Sequence, residues 1–211
     1  MSSLSSVEIV LASASPRRRD LLTAAGLTFR VMESRVEECA CTQSVEQMVA
    51  RLAREKAEDV AARLDVPGAT SAAILVIGAD TVVECSGEIL GKPGGAVDAR
   101  RMLSLLSGRE HRVLTGLVVG LIGPDGQTWR SAVEQTRVRF STLSSAVIDS
   151  YVASGEPLDK AGAYGIQGRA ALFIEGIDGC YFNVVGLPLH RLAVLCRSMR
   201  VELMATTSTV L

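Results

Sequence analysis

Asp80 is the residue of this 211-residue chain whose type and place point most directly to metal binding or acid–base chemistry. It closely follows the apolar run at residues 74–77, which predicts a buried strand. In α/β sheets ligands gather at the carboxyl ends of strands, and an acidic side chain there can hold a divalent metal or act as a general base toward water. Thr81 would add a hydroxyl for a ligand. An Asx turn or a cap for the next element is the alternative interpretation.

A basic helix start forms the second pattern. Ser15 and Pro16 are typical of the first positions of a helix, but arginines occupy residues 17–19, where the helix dipole favours acidic side chains. Each unpaired cation there costs roughly 0.3–1 kcal/mol. A bound phosphate would offset that cost, because helix N-termini and arginines both bind phosphate oxygens. A solvated basic turn with loose salt bridges is equally well supported.

Two lysines and a carboxylate pair are further candidates. Lys56 lies on the apolar face of a predicted helix, where it must reach solvent, form an ion pair or meet a ligand. Lys92 stands between Gly and Pro and offers a point charge to phosphate, although an ordinary surface loop is the more common arrangement. Glu37 and Glu38 can share a metal with Asp80, or can simply be exposed.

A glycine-rich segment at residues 155–168 contains Lys160, Tyr164 and Gln167. Its glycine spacing matches neither the dinucleotide-binding fingerprint nor the P-loop. Small residues with these three side chains can shape a base pocket, since a Gln amide reads a base edge through its paired donor and acceptor. A mobile loop is the alternative.

The elements that must position these residues alternate between strand and helix. Apolar spacing predicts helices at 17–25, 44–64, 97–106, 144–153 and 188–197, and strands at 9–12, 27–32, 74–77, 110–122, 129–140 and 171–177, with a hairpin at 82–90. This alternation indicates an α/β or α+β fold with a mixed sheet.

Composition excludes several classes of protein. The net charge of −1 argues against bulk nucleic-acid binding, so no stable nucleic-acid complex is expected. The longest apolar stretch, residues 113–122, is about half of what a membrane helix needs, and the first residues do not resemble a signal peptide. We therefore expect a soluble, cytoplasmic protein whose scattered cysteines stay reduced.

The motifs, taken in order, resemble the signature of the Maf family of nucleotide pyrophosphatases. They are Ser-x-Ser-Pro-Arg-Arg at 13–18, Glu-Lys-Ala at 55–57, Gly-Ala-Asp-Thr-Val at 78–82, Gly-Lys-Pro at 91–93, Ser-Gly at 107–108 and Gly-Leu-Pro-Leu at 186–189. Each motif is weak alone, but their order is specific, and the match spans about residues 9–197.

This resemblance implies a fold and an activity. The fold is a single domain over residues 1–211, a two-lobed α/β structure with a mixed sheet and a central cleft, similar to inosine triphosphate pyrophosphatases. The activity is hydrolysis of a nucleoside triphosphate to the monophosphate and pyrophosphate, assisted by Mg²⁺ or Mn²⁺, in a homodimer.

The resemblance also assigns roles to residues. Asp80 is the proton acceptor for the attacking water and, with Glu38, a metal ligand. The substrate-choice positions are Arg17, Thr81 and Gln167, and the polar residues that line the cleft are Ser13, Arg18, Lys56, Lys92 and Lys160.

Arg17 and the segment at 161–168 resemble the dTTP/UTP branch of the family rather than the 7-methyl-GTP branch. Glu37 stands where the family often has Asp. Two alternatives stay open: a non-catalytic nucleotide-binding regulator of cell division and septum formation, and a pyrophosphatase that removes modified nucleotides from the pool.

Overall fold

A computed structural model describes residues 7–37, 44–64, 73–124 and 126–205. Its strands are β1 Val7–Leu11, β2 Arg30–Val31, β3 Ala73–Cys85, β4 Glu88–Leu90, β5 Glu110–Gly123, β6 Gly126–Phe140 and β7 Ile174–Asp178. Its α-helices are α1 Pro16–Ala24, α2 Val45–Ala61, α3 Ala96–Leu106, α4 Ser145–Ala153, α5 Tyr181–Val185 and α6 Leu189–Ser198. Short 3-10 helices lie at Glu156–Asp159, Ala161–Ala163, Arg169–Leu172 and Leu203–Ala205.

The strands form one seven-stranded sheet in the order β2-β1-β3-β5-β6-β7, and β4 pairs with β3. The pairs β1–β2 and β1–β3 are parallel, whereas β3–β4 and β6–β7 are antiparallel. The sheet is therefore mixed, as the alternation of elements predicted.

Strand β3 corrects the predicted position of Asp80. The sequence placed Asp80 beyond the carboxyl end of a strand over residues 74–77, but β3 continues to Cys85 and holds Asp80 in its interior. The strand continues because β1 pairs with its first half and β4 with its last residues. Gly78 does not end the strand; it admits helix α2, since a Cβ built there would lie 2.5 Å from the carbonyl oxygen of Ala53.

Two compact units make up the chain: unit 1 is residues 1–80, 116–134 and 186–211, and unit 2 is residues 81–115 and 135–185. The core of unit 1 contains aliphatic side chains of α2, β1, β3 and β5, among them Val10, Val60, Val76 and Val118. The core of unit 2 joins α3 and α4 to the aromatic side chains of Phe140, Tyr151, Tyr164 and Phe173.

Several element boundaries differ from the sequence predictions. Strand β2 holds only residues 30 and 31 of the predicted 27–32, and β7 begins at Ile174 because a 3-10 helix occupies Arg169–Leu172. Helix α5 was missed, since five residues give too little periodicity to detect. No helix within the described parts of the chain is long and apolar enough to span a membrane.

Candidate active site

Asp80 and Lys56 form a buried ion pair in unit 1. The Nζ of Lys56 donates to Oδ1 of Asp80 at 2.6 Å, and their side chains are only 13% and 7% exposed. Of the three outcomes that the sequence left open for Lys56, the structure shows pairing. Each of the two buried groups thereby has a partner of opposite charge.

Helix α2 holds Lys56 at this place. Ser44 and Gln47 form a capping box that begins the helix, and its apolar stripe packs Val49, Leu52 and Ala53 inward. The close approach of α2 at Gly78 brings Lys56 within reach of Asp80, two residues further along β3.

The loop after β1 is fixed by Arg18. Its Nη1 donates to Oγ of Ser13 at 2.8 Å and its Nε to the carbonyl oxygen of Gly186 at 2.8 Å. The same Ser13 hydroxyl accepts the N–H of Ser15 at 3.2 Å. Arg18 is buried, so it is not part of a solvated turn, and it links two of the sequence motifs within unit 1.

The other arginines of α1 differ from Arg18. Arg17 is half-buried and Arg19 is exposed. Ser15 occupies the N-cap, but its side chain makes no capping hydrogen bond, and the first turn has no acidic residue. The start of α1 therefore keeps the positive character that favours an anion.

Thr81 lies in unit 2 on a polar network that the sequence did not indicate. Its Oγ1 lies 2.9 Å from Oγ1 of Thr115, which donates to the carbonyl oxygen of Asn183 at 3.4 Å. The amide of Asn183 donates at 3.0 Å to the carbonyl oxygen of Val113 and to Oγ1 of Thr136. This network fixes the hydroxyl of Thr81, and its members lie too far apart in the chain to form a recognisable motif.

The glycine-rich segment lies in unit 2 beside the loop of Lys92. The N–H of Gly162 donates to the carbonyl oxygen of Gly91 at 3.0 Å, so the two segments are in contact. Lys92 and Gln167 are exposed. The Nζ of Lys160 binds the carbonyl oxygen of Glu156 and Oδ1 of Asp159, both at 2.6 Å.

Of the two predicted metal ligands, Asp80 lies among the described residues and Glu38 does not. Glu37 is exposed. Within the described parts, no group of three or more His, Cys, Asp or Glu side chains is arranged to hold a metal ion. Asp80 supplies a hard oxygen donor of the kind that Mg²⁺ prefers, and Mg²⁺ commonly takes one or two carboxylates and completes its shell with substrate phosphates and water. Of the predicted ligands within the described residues, Asp80 is the one that would hold such a metal.

Comparisons with known proteins agree with the sequence motifs. The family model described as "Maf-like protein" matches residues 8–199. The dTTP/UTP pyrophosphatase of Moorella thermoacetica is 52% identical over 185 residues, covering 86% of this chain and 90% of that protein. The dTTP/UTP pyrophosphatase of Alkaliphilus oremlandii is 48% identical over 194 residues, covering 90% of this chain and 95% of that protein.

A solved structure of a nucleoside-triphosphatase/dITP/XTP pyrophosphatase from Mycobacterium abscessus aligns over 62% of this chain and 72% of that chain. Its TM-score is 0.27 and its sequence identity 16%.

Proposed function

This chain belongs to the Maf-like protein family, and from that premise we propose that it hydrolyses dTTP and UTP to the monophosphate and pyrophosphate. The observation that carries the proposal is the buried Asp80–Lys56 pair, a carboxylate held beside an ammonium within a family motif. The relatives at about half identity over most of the chain, named for dTTP and UTP, support the choice of substrates.

Asp80 is the general base in this proposal. Lys56 bonds to one oxygen of Asp80, and the carboxylate accepts the proton of the water that attacks the α phosphorus. The buried setting excludes bulk water from the carboxylate, and Lys56 adds positive charge beside the transferring group. The bond between the α phosphorus and the bridging oxygen breaks, and pyrophosphate leaves.

Arg17 at the start of α1 binds phosphate oxygens in this proposal. The first turn of α1 has no acidic side chain, so the positive end of the helix dipole favours a phosphate there. Arg18 and Ser13 contribute by shaping the loop that precedes the helix, since both are occupied with each other.

A divalent cation, Mg²⁺ or Mn²⁺, is the proposed cofactor. Asp80 would hold it, with Glu38 as the second carboxylate from the family resemblance. When bound, it would neutralise charge on the triphosphate and on the leaving pyrophosphate.

Thr81, Lys92, Lys160 and Gln167 serve substrate recognition from unit 2. The exposed Gln167 offers a donor and an acceptor to a pyrimidine edge, and the exposed Lys92 offers a charge to phosphate. We propose that the enzyme works in the cytoplasm, where its nucleotide substrates are, and as a homodimer.

Pyrophosphate release from a nucleotide panel tests the proposal. The panel contains dTTP, UTP, CTP, GTP, 7-methyl-GTP and ITP, each with Mg²⁺, with Mn²⁺ and with a chelator. We expect metal-dependent release from dTTP and UTP. Release mainly from 7-methyl-GTP would contradict the assigned substrates, and nucleotide binding without any release would favour the regulator hypothesis.

Asp80→Asn separates catalysis from binding. We expect it to abolish turnover while UTP still binds, because the amide cannot accept the proton. Asp149→Asn is the matched control, since Asp149 is exposed and pairs with the exposed Arg100. Full activity of Asp80→Asn would refute the general-base role.

A further inference from the structure

The turn that presents Gln167 is held at both ends by two buried or half-buried side chains outside the family motifs. The hydroxyl of Tyr151 accepts the N–H of Gly165 at 3.2 Å and donates to Oε1 of Glu156 at 3.0 Å. The other carboxylate oxygen of Glu156 accepts the N–H of Arg169 at 3.2 Å. Tyr151 and Glu156 thus bracket residues 165–169, with Gln167 between them.

The glycines of this turn are fitted to Glu156 and Lys160. A Cβ built on Gly168 would lie 2.1 Å from Oε1 of Glu156, and one built on Gly165 would lie 2.7 Å from Cε of Lys160. The backbone therefore approaches these side chains as closely as glycine permits. The turn also closes on itself, since the N–H of Gly168 donates to the carbonyl oxygen of Gly165 at 3.0 Å.

Tyr151 is itself rigidly placed. It is 4% exposed, and its ring meets the ring of Phe173 edge-on at 5.3 Å between centroids. Burial raises the pKa of Tyr151 above its usual value, so the hydroxyl stays protonated and can donate to Glu156 at neutral pH. The anchor of the turn is therefore part of the core of unit 2.

We propose that Tyr151 and Glu156 are positioning residues that set nucleotide selectivity by fixing the turn that presents Gln167. This inference rests on the proposed function, in which Gln167 reads the base. An amide selects a base only if its donor and acceptor stand within hydrogen-bond reach of the matching edge, and displacement by a fraction of an ångström removes that bond. A nucleotide that makes no hydrogen bond to Gln167 keeps its affinity when the turn becomes more mobile.

Tyr151→Phe tests the inference directly, because it removes the hydroxyl and keeps the ring packing. We expect the ratio of kcat/KM for UTP to that for CTP to fall about five- to tenfold, roughly the loss of one hydrogen bond. The change should come from a higher KM for UTP, with kcat nearly unchanged. An unchanged ratio would overturn the proposal.

Two substitutions of Glu156 should reduce nucleotide selectivity to different extents. Glu156→Gln keeps one acceptor oxygen but turns an NH₂ group toward an N–H donor, whereas Glu156→Ala removes both acceptors. We expect the selectivity ratio to fall in the order wild type, Gln, Ala. Glu84→Gln is the matched control, because Glu84 likewise accepts a backbone N–H, that of Gly87 at 2.6 Å, but belongs to a different turn. It should lose stability without losing selectivity.

A double-mutant cycle with Gln167→Ala distinguishes positioning from general damage. If Tyr151 acts through Gln167, Tyr151→Phe/Gln167→Ala should show the same selectivity ratio as Gln167→Ala alone. Additive losses would show that Tyr151 affects selectivity by another route and would contradict the inference.

Binding measurements keep this inference separable from the proposed function. The affinities of UTP and CTP, measured by calorimetry in the Asp80→Asn background with and without Tyr151→Phe, need no turnover. A wild-type enzyme that releases no pyrophosphate would refute the proposed function, while the affinity ratio would still decide the role of Tyr151. If the enzyme is active but Tyr151→Phe changes neither the affinity ratio nor the kcat/KM ratio, the inference is refuted while the proposed function stands.

Discussion

At the scale of single residues, the Asp80–Lys56 pair places two opposite charges side by side in a buried part of unit 1. The carboxylate and the ammonium lie 2.6 Å apart with side chains 7% and 13% exposed. Removing one charge from such a pair leaves the other buried without its counter-charge, and this costs more than removing both.

We predict that Lys56→Met lowers the free energy of unfolding by roughly 3 kcal/mol. The double variant Lys56→Met/Asp80→Asn should lose clearly less than the sum of the two single variants. Urea unfolding of the four proteins at neutral pH measures this coupling. The exposed pair Arg54–Glu58 is the control, with an expected coupling below about 1 kcal/mol. Additive losses at Lys56 and Asp80 would mean that the two charges do not depend on each other.

The buried side chain of His111 should make the stability of the protein depend on pH. Its Nε2 lies 2.8 Å from the hydroxyl of Tyr164, and its buried Nδ1 has no hydrogen-bond partner among the described residues. Loss of hydration on burial lowers the pKa of His111 from 6.5 to about 4, although the charge of Glu84 opposes the shift. The folded protein therefore keeps His111 neutral where the unfolded chain would bind a proton.

The sign of the pH effect follows from that difference. Between pH 6.5 and about 4 the unfolded chain binds the proton first, so stability falls on acidification through this window and is fully present above it. We predict that His111→Gln reduces the acid-induced loss of unfolding free energy by about 3 kcal/mol. Chemical denaturation across this pH range measures it, with exposed His190→Gln as the control. Equal acid sensitivity of wild type and His111→Gln would contradict a neutral buried imidazole.

At the scale of elements, helix α2 lies so close to strands β3 and β5 that only glycine fits beneath it. A Cβ built on Gly116 would lie 2.1 Å from the carbonyl oxygen of Val49, and one built on Gly78 would lie 2.7 Å from Cβ of Ala57. Both contacts are within unit 1. They set the distance between α2 and the sheet, and this distance determines whether Lys56 can contact Asp80.

We predict that Gly78→Ala and Gly116→Ala each cost about 1–3 kcal/mol of unfolding free energy, because backbone must move to admit the methyl group. Gly123→Ala, also in β5, is the control: its Cβ would meet Cβ of Ala73 at 3.8 Å, an ordinary contact, and stability should change by less than about 1 kcal/mol. Thermal or urea unfolding compares the three variants. A harmless Gly78→Ala would mean that α2 does not rest on the strand.

The sequence predicted some elements well for identifiable reasons. The capping box at Ser44 and the apolar stripe of α2 are local features, so the helix was found within three residues at each end. The end of β3 was misplaced because a glycine is typical of the end of a strand. Gly78 instead lies inside β3, where the packing of helix α2 leaves no room for a Cβ. Only the fold reveals such a cause.

The residues of the candidate site likewise divide into those that the sequence indicates and those that only the fold reveals. Asp80, Lys56 and Gln167 could be singled out from their types and motif context. Their supports could not, because these are contacts between residues remote in the chain, such as Thr115 with Asn183 across 68 positions. No pattern of residue types at fixed spacing predicts which remote partner a Thr or Tyr will meet.

At the scale of the whole molecule, the charge balance and the family agree on a small-molecule substrate. The net charge of −1 gives no general attraction for polyanions, so the proposed function relies on local groups such as Arg17 and Lys92 for phosphate affinity. The segments aligned with relatives cover 90% and 88% of this chain, so the family likeness extends over both units.

We predict that the chain is a homodimer in solution, as the family resemblance suggests. Light scattering coupled to size-exclusion chromatography should give the mass of two chains, independent of nucleotide. The mass of one chain at micromolar concentration would contradict this prediction.

In the proposed reaction, water attacks the α phosphorus of UTP or dTTP and expels pyrophosphate. Hydrolysis of UTP in ¹⁸O-labelled water with Mg²⁺, followed by mass spectrometry of the products, tests this most directly. We predict UMP and pyrophosphate as the products, with the label in UMP and none in pyrophosphate. UDP with labelled inorganic phosphate, or pyrophosphate carrying the label, would contradict it.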